Sequence, residues 1–232
     1  MSRVARIFST VLITAGLVVM ADVGLTVAYR EPISSLYGEL QQNKAEDQLA
    51  DLESRYPTPA DLAAIRGVRG IERKARVLAH RFADRATEGE AIGRLLAPDM
   101  GTNVVVVQGT DTASLQRGPG HYPDTAFPGE GETIGIAGHR TTYLAPFRHI
   151  DDMKRGDVVT VEMPYGTFTY RVQKTEIVDD SAVGVVRDVG YERLVLTACH
   201  PLYSAAQRYV AFARLVDTAI FDAARGGRFQ AN

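Results

Sequence analysis

Short β-prone runs punctuated by Gly, Pro and Asp dominate this 232-residue chain after residue 100. The runs are residues 103–108, 133–137, 157–163, 167–178, 193–198 and 208–216. In the fourth run Phe168, Tyr170 and Val172 alternate with polar residues, which is typical of a strand with one buried face. Because no long helical pattern separates the runs, a parallel sheet with crossover helices is disfavoured. The pattern predicts a mainly β, closed or sandwich-like antiparallel domain over residues 90–220.

The amino-terminal stretch is apolar and long enough to cross a membrane. Residues 7–29 contain a single acidic residue, and Arg3 and Arg6 precede them. A helix of this length spans roughly 34 Å, against roughly 30 Å for a hydrocarbon core. Since flanking positive charges stay in the cytoplasm, residues 1–30 are predicted to be a cytoplasmic tip and single-pass plasma-membrane anchor, with the remaining chain extracellular. A signal peptide cleaved after Ala21 is the alternative.

The segment between the anchor and the β domain is polar and charged. Residues 31–89 are predicted to form a helical or disordered stalk, in which 61–85 combine apolar residues with many arginines. That part fits a basic amphipathic helix, which either docks on the β domain or contacts an anionic membrane or wall polymer. Residues 221–232 are expected to be a carboxyl-terminal tail.

Charge and cysteine content limit the classes of function that fit this sequence. A net charge of −2 and a pI of about 6.2 argue against general nucleic-acid binding. Cys199 is the only cysteine, so the chain has no internal disulfide, and the thiol is either reactive or merely buried. The acidic residues match no calcium loop, and the histidines lack zinc-ligand spacing. No metal and no cofactor are therefore predicted.

Three side chains stand at strand ends where they could act together. Cys199 follows the run 193–198, and Arg208 opens the next run. His139 comes directly after another β-prone run. A thiolate is a nucleophile, an imidazole can return a proton to a leaving amine, and a guanidinium can stabilise an oxyanion. The alternative is a structural cysteine and a hydrogen-bonded loop histidine.

Four segments of this chain resemble segments of the sortase family. Residues 197–208, T-A-C-H-P-L-Y-S-A-A-Q-R, resemble the T-x-T-C-x-P-…-R signature of sortases. Residues 136–140, I-A-G-H-R, are similar to the catalytic-histidine segment, and 118–130, G-P-G-H-Y-P-D-T-A-F-P-G-E, to the loop before it. Residues 90–95, E-A-I-G-R-L, resemble the first barrel strand. The pattern is most similar to class E sortases of high-GC Gram-positive bacteria.

The resemblance implies an eight-stranded closed β-barrel and a membrane-anchored cysteine transpeptidase. It implies that Cys199 is the nucleophile, His139 the general acid/base and Arg208 the oxyanion or substrate-positioning group. The substrates would be surface proteins with a sorting signal, L-P-x-T-G or L-A-x-T-G, cleaved between Thr and Gly through a thioester. The acyl group would pass to an amine of a lipid-linked peptidoglycan precursor or of a pilin lysine.

Five further residues are candidates for substrate contacts, namely Thr197, Ala198, His121, Tyr143 and Tyr203. Ala198 stands where many sortases have Thr, so any hydrogen bond from that hydroxyl is missing here. His200 adjoins Cys199 but is expected to face the other way, because consecutive strand residues alternate.

Three other functions compete with this interpretation. An L,D-transpeptidase also uses Cys, His and Arg, but it usually carries S-x-G-C, whereas this chain has L-T-A-C-H-P. A hydrolytic cysteine peptidase would differ only in needing no amine acceptor. A non-enzymatic, anchored wall-binding module would use Cys199 for packing alone.

Overall fold

A computed structural model describes residues 3–28, 32–221 and 229–230 of the chain. The helices are α1 (Arg3–Ala28), α2 (Pro32–Arg55), α3 (Pro59–Ala64), α4 (Ile71–Ala83) and α5 (Thr112–Arg117). The strands are β1 (Ala91–Ala97), β2 (Thr102–Gln108), β3 (Gly120–His121), β4 (Thr133–Gly138), β5 (Val158–Met163), β6 (Gly166–Asp179), β7 (Arg193–His200), β8 (Gln207–Phe221) and β9 (Phe229–Gln230). Single 3-10 turns lie at Pro98–Met100, Ile150–Asp152 and Val183–Val186.

Strands β1 to β8 form an eight-stranded closed β-barrel, as expected. The sheet order is β6-β5-β1-β2-β3-β4-β7-β8-β9, and an additional pairing of β6 with β8 closes the ring. Most neighbours are antiparallel, but β2 pairs with β3 and β4 with β7 in parallel. Closure leaves β1–β8 without a free edge, and the short β9 pairs with the outer part of β8. The predicted carboxyl-terminal tail otherwise lies outside the described residues.

The barrel is filled by alternating apolar side chains. In β6, Phe168, Tyr170 and Val172 are buried while the polar residues between them are more exposed, so the predicted one-sided strand is confirmed. These side chains join a core cluster with residues from β1, β4, β5, β7 and β8. Helix α5 and strand β3 lie within residues 109–132.

The segment 32–89, predicted to be a stalk, packs against the barrel. Helix α4 places Ala75, Leu78, Ala79 and Phe82 at the i, i+3, i+4, i+7 spacing of one helix face, and all four are buried. Phe82 packs edge-on against Phe127 at 5.5 Å between ring centroids. The docking interpretation of the basic segment is therefore confirmed, and α4 covers one end of the barrel.

Helix α2 runs along the outer wall of the barrel from one end to the other. Near its middle, Gln42 accepts the Val105 N–H at 2.9 Å and donates to the Val105 carbonyl at 3.1 Å, so it pairs with β2 as a strand would. Farther on, Leu49 is buried in a small cluster with Ala91 of β1 and Val105. Twenty-four residues of helix correspond to roughly 36 Å, enough to span the barrel wall.

Helix α1 satisfies the length and apolarity expected of a membrane span. The segment Arg3–Gly24 has a mean hydropathy of 2.0, and none of it is buried against the rest of the described chain. Such a helix is consistent with the predicted anchor, in contrast to a core helix, which would be covered.

Candidate active site

Strand register brings the ends of β4, β7 and β8 to one edge of the barrel. Gly138, the last residue of β4, pairs in parallel with Ala198 of β7. His139 follows Gly138, and Cys199 follows Ala198. Cys199 in turn pairs antiparallel with Arg208 of β8. Since neighbouring strands lie about 4.8 Å apart, the three residues occupy consecutive positions across the sheet.

Cys199 is a free, half-buried thiol at the wall of a cavity of about 330 Å³. The cavity is lined by Arg140, Thr141, Cys199, Pro201, Tyr203, Ser204 and Ala205. A larger cavity of about 560 Å³ lies between α2, α4 and β1, and none of the predicted site residues lines it. We therefore place the site in the smaller cavity, where the thiol is.

His139 is held by packing on both sides of its backbone. The ring of buried Phe147 lies on Gly138, where an added Cβ would come within 2.6 Å of it. The Phe147 N–H donates to the His139 carbonyl at 2.9 Å. The Tyr143 ring lies 5.3 Å from the imidazole, centroid to centroid. Burial lowers the pKa of His139, so the neutral imidazole is favoured at neutral pH.

One nitrogen of the Arg208 guanidinium, Nη1, donates hydrogen bonds to the described part of the chain. Its Nη1 donates to the carbonyls of Ala205 at 2.8 Å and Gln207 at 3.0 Å. Within the described residues its Nε and Nη2 have no hydrogen-bond partner. The half-buried group can therefore offer N–H donors to a substrate while its position is held by the backbone.

The substrate-contact candidates divide into two groups. Tyr203 is exposed and lines the cavity with Cys199, and Tyr143 lies beside His139. By contrast, the hydroxyl of buried Thr197 is 2.8 Å from the Tyr122 hydroxyl, and Ala198 is buried in the barrel core. Thr197 and Ala198 therefore pack behind the site and do not line the cavity beside Cys199.

His121 is placed differently from the substrate contact predicted for it. It is buried, with Nδ1 2.9 Å from Gln108 Oε1 and Nε2 2.9 Å from the Ala126 carbonyl. Burial lowers the pKa of His121 to about 4. With both nitrogens engaged inside the protein, this histidine has the environment of a structural residue that ties its loop to β2.

Arg140 is a site residue to which sequence reasoning gave no role. It is buried, and its Nη2 forms an ion pair with Asp151 at 2.6 Å. Its Nη1 lies 3.4 Å from the Cys199 carbonyl and 3.3 Å from His200 Nδ1. The guanidinium thus joins the segment after β4 to the end of β7. Its only sequence signal was its place directly after His139.

Asp151 and Tyr122 are two further residues beside the site to which sequence reasoning gave no role. Burial opposes ionisation of Asp151, but the hydrogen bond from Arg140, a backbone hydrogen bond and the charge of Arg140 together outweigh it and hold the pKa of this carboxyl below its ordinary value. Tyr122 reaches Thr197 across 75 residues of sequence, a contact that depends on barrel closure.

Comparisons with known proteins agree with this fold. The Sortase domain family model matches residues 95–216. Sortase D of Bacillus subtilis (strain 168) is 35% identical over 132 residues, which are 55% of this chain and 65% of that protein. The chain therefore spans slightly less than two thirds of that relative's length.

Solved structures of sortases have the same barrel. Sortase E1 from Streptomyces coelicolor, solved with a tripeptide in its active site, is 26% identical with a TM-score of 0.56, covering 62% of this chain and 97% of that one. A sortase D5 transpeptidase from Clostridium perfringens has a TM-score of 0.60 at 19% identity, covering 76% of this chain and 98% of that one, and supports the fold alone. The fold is the closed β-barrel of the sortase class. The chain belongs to the sortase family.

Proposed function

We propose that this chain is a membrane-anchored transpeptidase that cleaves a C-terminal sorting signal and transfers the released acyl group to an amine. The signal is of the L-P-x-T-G or L-A-x-T-G type, cut between Thr and Gly. The observation that carries the proposal is the consecutive placement of His139, Cys199 and Arg208 on one barrel edge, beside a cavity that the thiol lines.

In the first half-reaction the sulfur of Cys199 attacks the Thr carbonyl carbon. The neutral His139 accepts the thiol proton and gives it to the Gly nitrogen as the C–N bond breaks. Arg208 directs its free N–H groups at the oxygen that becomes negative. The products are a thioester on Cys199 and a free Gly amine on the departing peptide.

In the second half-reaction an acceptor amine attacks the thioester carbon. The new C–N bond forms, the C–S bond breaks, and the proton lost by the amine returns to the sulfur through His139. Water competes for the same carbon. An acceptor bound near the thioester has a large effective concentration, which favours transfer over hydrolysis.

The proposed acceptor is an amine of a lipid-linked peptidoglycan precursor. The short link between α1 and α2 supports this acceptor, because it keeps the barrel close to the membrane. Ala28 ends α1 and Pro32 begins α2, so four residue steps, at most roughly 14 Å, separate them. Tyr37, in the first turns of α2, packs on Tyr143, the neighbour of His139. With α1 in the bilayer and the barrel outside, the catalytic edge lies near the membrane surface. A pilin lysine is the second candidate acceptor.

Mass spectrometry of the full-length protein in detergent tests the reaction. The protein is incubated with an L-A-x-T-G or L-P-x-T-G peptide, with and without an added amine. We expect a thioester adduct on Cys199 that exchanges to the amine, and no adduct in Cys199→Ala. Equal product release with and without the amine would identify a hydrolytic peptidase. A protein that forms no adduct with either peptide would contradict the proposal.

A further inference from the structure

The loop after His139 has an unusual backbone. Tyr143, Leu144 and Ala145 all have positive φ, at 49°, 66° and 47°. Residues other than glycine rarely adopt this conformation, and three in succession persist only where the surroundings enforce it. The loop carries Tyr143, whose ring lies against His139.

Helix α2 makes three contacts with this strained loop. The Tyr143 N–H donates to Ser34 Oγ at 3.3 Å. The Tyr37 ring meets the Tyr143 ring edge-on, with 6.1 Å between centroids. Gly38 is buried so close to the loop that an added Cβ would lie 2.9 Å from the Tyr143 carbonyl carbon and 3.1 Å from the Leu144 nitrogen. Those neighbours are backbone atoms, which a rotamer change cannot move.

We propose that Ser34, Tyr37 and Gly38 are positioning residues, which hold the strained loop so that Tyr143 keeps His139 packed at the catalytic edge. This proposal rests on the role of His139 in the proposed function. The three residues lie more than 100 positions before the loop and in the first turns after the predicted membrane span. Helix α2, which follows the predicted membrane span, is thereby part of the active-site wall.

The contacts act through burial and not through charge. None of the contacts that Ser34, Tyr37 and Gly38 make with the loop is an ion pair. The ionisable groups around His139 are Tyr143 in its own loop, Arg140 next in sequence and Tyr37 of α2 against Tyr143. Strand register adds Cys199 on β7 and Arg208 on β8. Loosening α2 leaves these groups in place but admits water to the imidazole. The pKa of His139, which burial lowers, then rises toward its ordinary value.

The test compares Gly38→Ala with Glu39→Ala in the full-length protein in detergent. Alanine is a better helix former than glycine, so Gly38→Ala would not weaken α2 itself. Glu39 is exposed on the next position and is the matched control. We expect Gly38→Ala to lower kcat by roughly ten- to a hundredfold, with a smaller change in KM, while Glu39→Ala keeps both.

A second pair and a second readout separate positioning from folding. Tyr37→Phe keeps the ring and should retain activity, whereas Tyr37→Ala should match Gly38→Ala. Titration of His139 by NMR, assigned with His139→Gln, should give a higher pKa in Gly38→Ala and Tyr37→Ala than in the parent. This titration needs no substrate, so it reports on positioning even if the parent fails to transfer any acyl group. An unchanged kcat and His139 pKa in both variants would overturn the inference.

Discussion

Cys199 on β7 and Arg208 on β8 are direct partners in the antiparallel register, next to the last pair of the ladder. Directly opposed residues in such a pair have Cβ atoms about 4.5–5.5 Å apart and point to the same face. The thiol and the guanidinium are therefore on one side of the sheet because of backbone pairing. Hydrogen bonds from Arg208 to Ala205 and Gln207 carbonyls hold the guanidinium at the turn between the strands.

Replacing the nucleophile should abolish turnover. We expect Cys199→Ala to lower kcat for a sorting-signal peptide by at least about 10⁴-fold, because no other group in the site can form the thioester. Thermal unfolding should be nearly unchanged, since the side chain is half-buried and small. Ser204→Ala, in the same cavity wall, is the control and should remain active. Measurable thioester exchange in Cys199→Ala would contradict a thiol mechanism.

Arg208→Lys should lose about 10²-fold in kcat although the charge is retained. A lysine supplies a compact point charge and cannot both donate to the Ala205 and Gln207 carbonyls and present a planar fork to the oxyanion. Steady-state kinetics with the same peptide measure the effect. Arg214→Lys, at an exposed position farther along β8, should be silent. An unaltered kcat in Arg208→Lys would mean that this arginine is only structural.

Buried His121 should make the fold sensitive to mild acid. Burial lowers its pKa to about 4 in the folded state, against about 6.5 when unfolded, so the unfolded chain binds more protons between these values. Stability is full above pH 6.5 and falls as the pH drops toward 4. We expect a loss of about 2 kcal/mol from pH 7 to pH 5, measured by urea unfolding.

Two variants isolate the contribution of His121. His121→Gln should be less stable at pH 7 but should show a smaller fall between pH 7 and pH 5. His149→Gln, which removes an exposed histidine paired with Asp152, should keep the parental slope. If His121→Gln retains that slope, another group controls the acid sensitivity.

Arg140→Lys should destabilise the protein by about 2 kcal/mol. The buried guanidinium contacts Asp151, the Arg148 carbonyl and the Cys199 carbonyl, and one ammonium cannot replace all of these bonds. Thermal unfolding measures the loss, with Arg155→Lys at an exposed site as the control. A melting temperature equal to that of the parent would show that the Arg140 contacts contribute little.

The sequence was most informative where the signal is local. Alternation along residues 167–178 predicted the buried face of β6. Apolar spacing in 61–85 predicted one amphipathic helix, whereas the structure divides this segment between the end of α3 and α4. The strand ends at His139, Cys199 and Arg208 could be read from β-prone runs and from Pro201, which cannot continue a ladder.

Long-range pairing limited what the sequence could predict. The parallel register of β4 with β7 aligns His139 and Cys199, yet the two residues are separated by 60 positions, and nothing local encodes that alignment. The contact of α2 with the Tyr143 loop is equally non-local. The sequence context of Arg140 is that of an ordinary charged residue, and its burial is permitted by the ion pair with Asp151 and by hydrogen bonds to the Arg148 and Cys199 carbonyls.

The packing of α2 and α4 has a practical consequence for anyone preparing a soluble fragment. A cut at residue 90, where the strands begin, would remove Leu49, Leu78 and Phe82 and leave their apolar contact surfaces facing water. Such a fragment would be prone to aggregate and would lack the outer wall beside the catalytic edge. Expression should start at Pro32, so that the smallest useful enzyme is nearly half as long again as its barrel.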